Sequence, residues 1–184
     1  MRSITEQGHT FEEWLTPEQI AADIQPIADR INAEYKDKSP LFVVVLNGAF
    51  VFASDLIRRV NVHCEVTFIR VKSYEGMNSA GEVQMIVPLQ HSVKDRDVIV
   101  IEDIVDTGLT MHWLKAHLRE QGAASVRVAA LLCKPDKIQF PDARPDYVAR
   151  NITNEFVIGY GLDLDGFVRN LDAIYKIKED RPLR

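Results

Sequence analysis

No apolar run in this chain of 184 residues reaches the roughly 18 residues that cross a bilayer as a helix, so no membrane-spanning segment is expected. The stretch MRSITEQGHTFEEW, Met1–Trp14, has no apolar core of the kind a secretory signal carries. The expectation is a cytoplasmic protein with no membrane partner. Cysteine is scarce: Cys64 and Cys133 stand far apart, each in an apolar, strand-like segment. That excludes a disulfide framework and, without a CxxC or Cys/His spacing, a structural zinc site. Both read as reduced, buried thiols. Histidine offers no better ligand set. Of the five, only His112 and His117 are near one another, and a spacing of five puts them on different faces of a helix. Basic charge is not in excess either. With 22 Lys and Arg against 27 Asp and Glu the net charge is −5, which argues against nucleic acid as the main partner.

What remains is an ordinary globular composition, 46% apolar and 27% charged, long enough for one well-buried domain over residues 1–184. Thr16, Pro17 and Gln19 form the sequence signature of a capped helix start, and Ile20, Ile24, Ile27 and Ile31 continue it as one apolar stripe. Pro26 is expected to kink that helix. LFVVVL (Leu41–Leu46), DVIVIED (Asp97–Asp103) and VRVAALLCK (Val126–Lys134) are apolar without alternation, as strands covered on both faces are. Helices are expected over Val51–Val60 and Thr110–Gln121, the second stopped by Gly122. Val62, Cys64, Val66 and Phe68 alternate with more polar residues and predict a strand. Lys72–Glu82, polar and Gly-containing between two strand-like segments, reads as a long hairpin loop, a length usually kept for lids or binding loops. Phe156–Leu171 reads as a short strand and a Gly-punctuated turn. Buried strands alternating with helices give an α/β fold with a central, mainly parallel sheet flanked by helices.

The densest chemistry lies in VIVIEDIVDTGLT, Val98–Thr110. Ligands in such sheets bind at the carboxyl ends of the strands, where Glu102 and Asp103 stand. The backbone N–H groups of Asp106–Thr110 open the next helix and make an anion site; Gly108 allows close approach, and Thr107 and Thr110 add hydroxyls. No GK[ST] follows, which argues against an ATPase loop. The acids need a separate reason. Two like charges near 4 Å repel by about 4 kcal/mol at an effective dielectric of 20. Two readings fit the spacing. In one, Asp103 or Asp106 caps the helix and the others face water. In the other, the acids meet sugar hydroxyls, a cation and a positive charge that develops in the reaction, while the phosphate goes to the N–H groups. A ribose 5-phosphate carrying pyrophosphate satisfies the second.

The same thirteen residues resemble the phosphoribosyl-diphosphate motif of type I phosphoribosyltransferases. VVLNGAFVFASDL, IRVKSY, LLCKPD, and FVIGYGLD with a following Arg169 fall in the order seen in hypoxanthine(-guanine) phosphoribosyltransferases, from roughly Thr16 to Lys178. The resemblance implies the type I fold with a small hood, Mg²⁺ as cofactor, and homodimers or homotetramers. It implies transfer of 5-phosphoribosyl from 5-phosphoribosyl 1-diphosphate to N9 of hypoxanthine, and of guanine. By resemblance Glu102 and Asp103 organise ribose hydroxyls and metal, and Asp106 is the base near purine N7. Thr107, Gly108, Leu109 and Thr110 hold the 5-phosphate. Leu46, Asn47 and Gly48 form the pyrophosphate loop, where many relatives carry Lys in place of Asn47, and Arg169 also holds pyrophosphate. Lys134 donates to the purine 6-oxo group, Phe156 stacks on the base, and Val157 faces its edge. Asp163 stands on the purine side as a second metal-side carboxylate. Ser73 and Tyr74 belong to the lid. Two further readings stay open. One is a xanthine-preferring transferase; the other is a non-catalytic regulator that senses the sugar diphosphate and binds nucleic acid. The order of base preference, the oligomeric state and the consequence of Asn47 are not legible in the residues.

Overall fold

A computed structural model describes residues 2–76 and 79–178, with side chains for all of these except 73–76 and 79–82. Among the described residues ten strands and three α-helices run in chain order: β1 (Ser3–Glu6), β2 (His9–Leu15), α1 (Pro17–Glu34), β3 (Leu41–Leu46), α2 (Phe50–Ile57), β4 (Glu65–Gly76), β5 (Ser79–Val87), β6 (Asp97–Val105), α3 (Leu109–Glu120), β7 (Ser125–Cys133), β8 (Tyr147–Asn151), β9 (Val157–Ile158) and β10 (Ile174–Ile177). They form two sheets. The larger has six strands in the order β5-β4-β3-β6-β7-β8. All of its neighbours are parallel except the β4–β5 pair.

The continuous apolar runs are explained by cover on both faces. Phe42, Val44, Ile99, Ile101, Ala129 and Leu131 point into one core with the α1 stripe and with Phe52 and Leu56 of α2. Leu41, Val43, Val45, Val98, Val100 and Val128 point the other way, against Met111, Leu114 and Leu118 of α3. The smaller sheet, β1-β2-β10-β9, is antiparallel and is the hood. Its first hairpin turns on Gln7 and Gly8, both at positive φ, as a two-residue turn of matching twist requires.

The α1 start is a complete capping box: Thr16 Oγ1 accepts from the Gln19 N–H at 3.3 Å, and Gln19 Oε1 accepts from the Thr16 N–H at 3.0 Å. Thr16→Ala is expected to cost about 1 kcal/mol. That corresponds to a fall of roughly 2–4 °C in Tm for a chain of this size. A thermal melt checks it, and an unchanged midpoint means the cap is not made in solution. The helix continues through Pro26 to Glu34 without a break.

Three expectations need correction. Most of the stretch Lys72–Glu82 is strand: β4 runs to Gly76 and β5 starts at Ser79, with Ser73 paired to Val83 and Tyr74 to Glu82. Backbone pairing along an antiparallel ribbon tolerates polar side chains that face water. The side chains of Ser73 and Tyr74, assigned to a lid, lie outside the described residues. The strand read from Val62 begins at Glu65, and its alternating apolar set faces outward. Val66 and Phe68 are exposed, while Thr67 and Ile69 are buried. Cys64 therefore precedes the strand and is only half-buried; Cys133 is buried at the end of β7, and both are free thiols.

Candidate active site

The carboxyl ends of β3 and β6 stand side by side, since the two strands are parallel neighbours, and the turns that leave them border the same space. β3 ends in a cis peptide between Leu46 and Asn47, followed by Gly48. Gly48 is required by a close approach. A Cβ there would sit 1.5 Å from Asp103 Oδ2, so only a bare Cα lets the turn after β3 lie on the carboxylate from β6.

Glu102 and Asp103 are neighbours in a poorly hydrated place. Glu102 Oε1 accepts from the Asp103 N–H at 3.1 Å, and Asp103 Oδ1 accepts from the Ile104 N–H at 2.7 Å. Burial pushes the Glu102 carboxyl well above its ordinary range, and the adjacent Asp103 charge pushes it further. Burial raises Asp103 too, against the opposing pull of hydrogen bonds and of Arg169. A pair held this way gains from any cation or hydroxyl donor that joins it.

Beyond Val105 the chain makes the turn that opens α3. Gly108, at φ +85°, is the residue before the helix, and the Leu109 N–H donates to Thr107 Oγ1 at 3.4 Å. The turn is braced from behind: the Gln139 N–H donates to the Thr107 carbonyl at 2.9 Å. Ala143 lies so near that a Cβ on Gly108 would come within 2.7 Å of it. Asp106 receives two lysines. Lys134 Nζ, from the end of β7, is 2.9 Å from Oδ2, and Lys137 Nζ is 3.5 Å from Oδ1.

The hood closes the remaining side. Arg169 donates to the Gly161 carbonyl at 2.7 Å and pairs with Asp163 at 2.7 Å, while Asp163 also accepts from the Gly166 N–H at 2.7 Å. These groups surround a cavity of about 710 Å³. One wall carries the turn after β3, another Glu102 and Asp103, a third the N-terminus of α3.

The sequence of residues 12–165 matches the model of the phosphoribosyl transferase domain. The chain belongs to the phosphoribosyl transferase family. It is 38% identical over 164 residues to a hypoxanthine-guanine phosphoribosyltransferase of Streptococcus thermophilus, covering 89% of this chain and 91% of that one. It is 36% identical over 167 residues to the enzyme of the same name from Lactococcus lactis, covering 90% of each. Among solved structures, a hypoxanthine phosphoribosyltransferase from Staphylococcus aureus superposes with a TM-score of 0.86 at 37% identity, over 91% of both chains. One from Trypanosoma cruzi does so with a TM-score of 0.86 at 37% identity over 95% of both. The six-stranded sheet and its hood are the type I phosphoribosyltransferase fold.

Of the residues singled out in the sequence, this phosphoribosyltransferase brings Leu46, Asn47, Gly48, Glu102, Asp103, Asp106, Thr107, Gly108, Leu109, Thr110, Asp163 and Arg169 around one cavity. Lys134 is buried behind that wall and reaches it through Asp106. Phe156 and Val157 are not on the cavity wall. Phe156 packs in the hood, its ring centroid 6.3 Å from that of Phe11, and Val157 is buried in β9. Sequence reading missed Lys137, whose trace was its place three residues after Lys134 in a tight turn, Pro135–Lys137. His112, read in the sequence as a surface or packing residue, is both. The ring pairs with Asp142 at 2.8 Å and stacks on Phe140 at 4.5 Å between centroids, fixing α3 to the segment behind the turn. His117 stacks instead on Trp113, on another face of the helix.

Proposed function

We propose that this phosphoribosyltransferase works in purine salvage, moving 5-phosphoribosyl from 5-phosphoribosyl 1-diphosphate to N9 of hypoxanthine and of guanine. The nucleoside monophosphate and pyrophosphate are the products. The observation that carries the reading is the joining, around one cavity, of an N–H cradle at α3, the buried Glu102 with the half-buried Asp103, and the Asp106–Lys134 pair. The cradle, Thr107–Thr110, takes the 5-phosphate through the backbone N–H groups that open α3 and two hydroxyls. Glu102 and Asp103 accept from the ribose 2- and 3-hydroxyls. As the C1–O bond to pyrophosphate breaks and the bond from N9 forms, positive charge grows on the sugar ring, and the same two carboxylates lie where they stabilise it. Asp106 takes the proton from N7. Lys134 carries three N–H donors, so it can hold Asp106 and donate to a 6-oxo group together. A 6-amino group cannot accept that bond, which disfavours adenine. Leu46–Gly48 and Arg169 hold the pyrophosphate, with a guanidinium suited to its paired oxygens. Phe156 and Val157 are proposed to face the base, which would then reach past the cavity wall toward the hood.

The donor set suits Mg²⁺. Among the described residues there is no group of three or more His, Cys, Asp or Glu able to cage a metal. Magnesium is usually carried by one or two carboxylates and by substrate phosphates. Glu102 and Asp103, with Asp163 through water, would hold it, and it would supply charge neutralisation at the diphosphate. The large sheet and the hood act as one domain, supported by a core in which Leu15, Val157 and Ile174 of the hood pack with Phe42 and Ile99. Self-association is supported by exposed Val66, Phe68, Ile86 and Val87 on β4 and β5. The net charge of −5 supports a reading without a nucleic-acid partner.

A pyrophosphate-release assay with Mg²⁺ and one base at a time tests the reading. Turnover is expected with hypoxanthine and guanine and none with adenine or uracil. Turnover with xanthine alone would move the base preference. Binding of the sugar diphosphate with no turnover on any base would replace the enzyme with a sensor.

A further inference from the structure

The cradle at α3 has donors but no cation of its own, because Leu109 fills its centre between Gly108 and Thr110. A sugar 5-phosphate is a dianion entering a cavity whose wall already carries Glu102, Asp103, Asp106 and Asp163. The cations nearby differ in how firmly they are held. Arg169 is fixed to Asp163 and to the Gly161 carbonyl at 2.7 Å each. Lys134 is buried and bonded to Asp106 at 2.9 Å. Lys137 lies on the cavity wall with its side chain 38% exposed, 3.5 Å from Asp106 Oδ1, an oxygen that is itself without a hydrogen-bond partner. Its turn is pinned to the cradle. The Gln139 N–H holds the Thr107 carbonyl at 2.9 Å, and the Ile138 side chain lies 3.5 Å from where a Cβ on Gly108 would be.

We propose that Lys137 is a binding residue for the 5-phosphate. Its ammonium exchanges the long contact with Asp106 Oδ1 for a charge-assisted hydrogen bond to the phosphate, and the exchange leaves Asp106 Oδ1 open to the purine N7 proton. Lys134 keeps the other Asp106 oxygen in place throughout. Occupancy of the phosphate cradle thereby readies the base. The proposal rests on the phosphoribosyl-transfer reading of this cavity.

Calorimetric titration of the wild-type protein, Lys137→Gln and Lys137→Arg with inosine 5-monophosphate, with inosine and with magnesium pyrophosphate tests it. Lys137→Gln is expected to weaken the monophosphate about tenfold or more, the scale of one charge-assisted hydrogen bond. Pyrophosphate affinity should stay at the wild-type value, and Lys137→Arg should recover most of the loss. Unchanged monophosphate affinity in Lys137→Gln overturns the proposal. Equal weakening of the monophosphate and of pyrophosphate does so too, because Lys137 would then act through the general field of the cavity. An equal loss for inosine, which lacks the phosphate, overturns it as well, because Lys137 would then act through Asp106. Thermal melts of both variants exclude unfolding as the cause of any loss. A wild-type protein that binds none of these ligands and turns over no base refutes the phosphoribosyl-transfer reading itself, a result separate from any behaviour of the variants.

Discussion

Asp106→Asn is expected to lower kcat by about 10²- to 10⁴-fold, the range a positioned acid–base group supplies, while leaving the affinity for 5-phosphoribosyl 1-diphosphate close to wild type. Asparagine keeps the shape and can still accept from Lys134 Nζ, which lies 2.9 Å from the carboxylate. It cannot take the N7 proton. The sugar diphosphate is held by other groups around the cavity, so its binding has little reason to change. The reverse reaction, from nucleoside monophosphate and pyrophosphate, should fall by the same factor, since one group serves both directions. Replacing the anion also leaves buried Lys134 without its counter-charge. A loss of about 1–3 kcal/mol in stability is expected on that account. Rates are therefore to be compared well below the midpoint of the variant's thermal transition. Single-turnover and steady-state kinetics with parallel equilibrium binding of the sugar diphosphate decide the matter. Wild-type turnover in the variant would remove Asp106 as the base.

The parts of this site that could be read from the chain are those that lie together along it. Val98–Thr110 is one strand, one turn and the start of one helix, so its acids, glycine and hydroxyls are neighbours before folding. β3, β6 and β7 were legible because cover on both faces demands apolar residues at every position. α1 announced itself by its capping box and isoleucine stripe. Where one face of an element meets water the pattern weakened. β4 shows its apolar residues Val66 and Phe68 to the outside and buries Thr67, so alternation found the strand but not its inner face. The hairpin of β4 and β5 is polar enough to read as loop, and only pairing reveals it. Short hood strands such as β10, four residues long, carry too little pattern to be read. Contacts across the chain were out of reach. Lys137 meets Asp106 from a separate turn beyond β7, and Gly161 meets Gly48 across most of the fold.

The Gly161–Gly48 contact carries the second large effect. Gly161→Ala is expected to destabilise the protein by about 3 kcal/mol or more and to raise the KM for 5-phosphoribosyl 1-diphosphate. Gly161 stands at φ +99°, where side chains are strained, and a Cβ would fall 2.2 Å from the Gly48 carbonyl oxygen. Strained backbone costs about 1–3 kcal/mol and forced overpacking a further 1–3 kcal/mol. The atom in the way is main chain, so relief requires the hood turn and the turn after β3 to move apart. Both ends of that movement carry ligand groups. Gly48 lies on Asp103, and the Gly161 carbonyl holds Arg169, which holds Asp163. Gly159→Ala separates stability from function. At φ +89° its Cβ would fall 2.3 Å from the Ala173 carbonyl oxygen, inside the hood and away from the cavity wall. Both variants should melt earlier, and only Gly161→Ala should bind the sugar diphosphate poorly at temperatures where each is folded. If the two lose substrate affinity alike, the hood works as a whole, and the Gly161–Gly48 contact has no separate part in shaping the pyrophosphate side of the site.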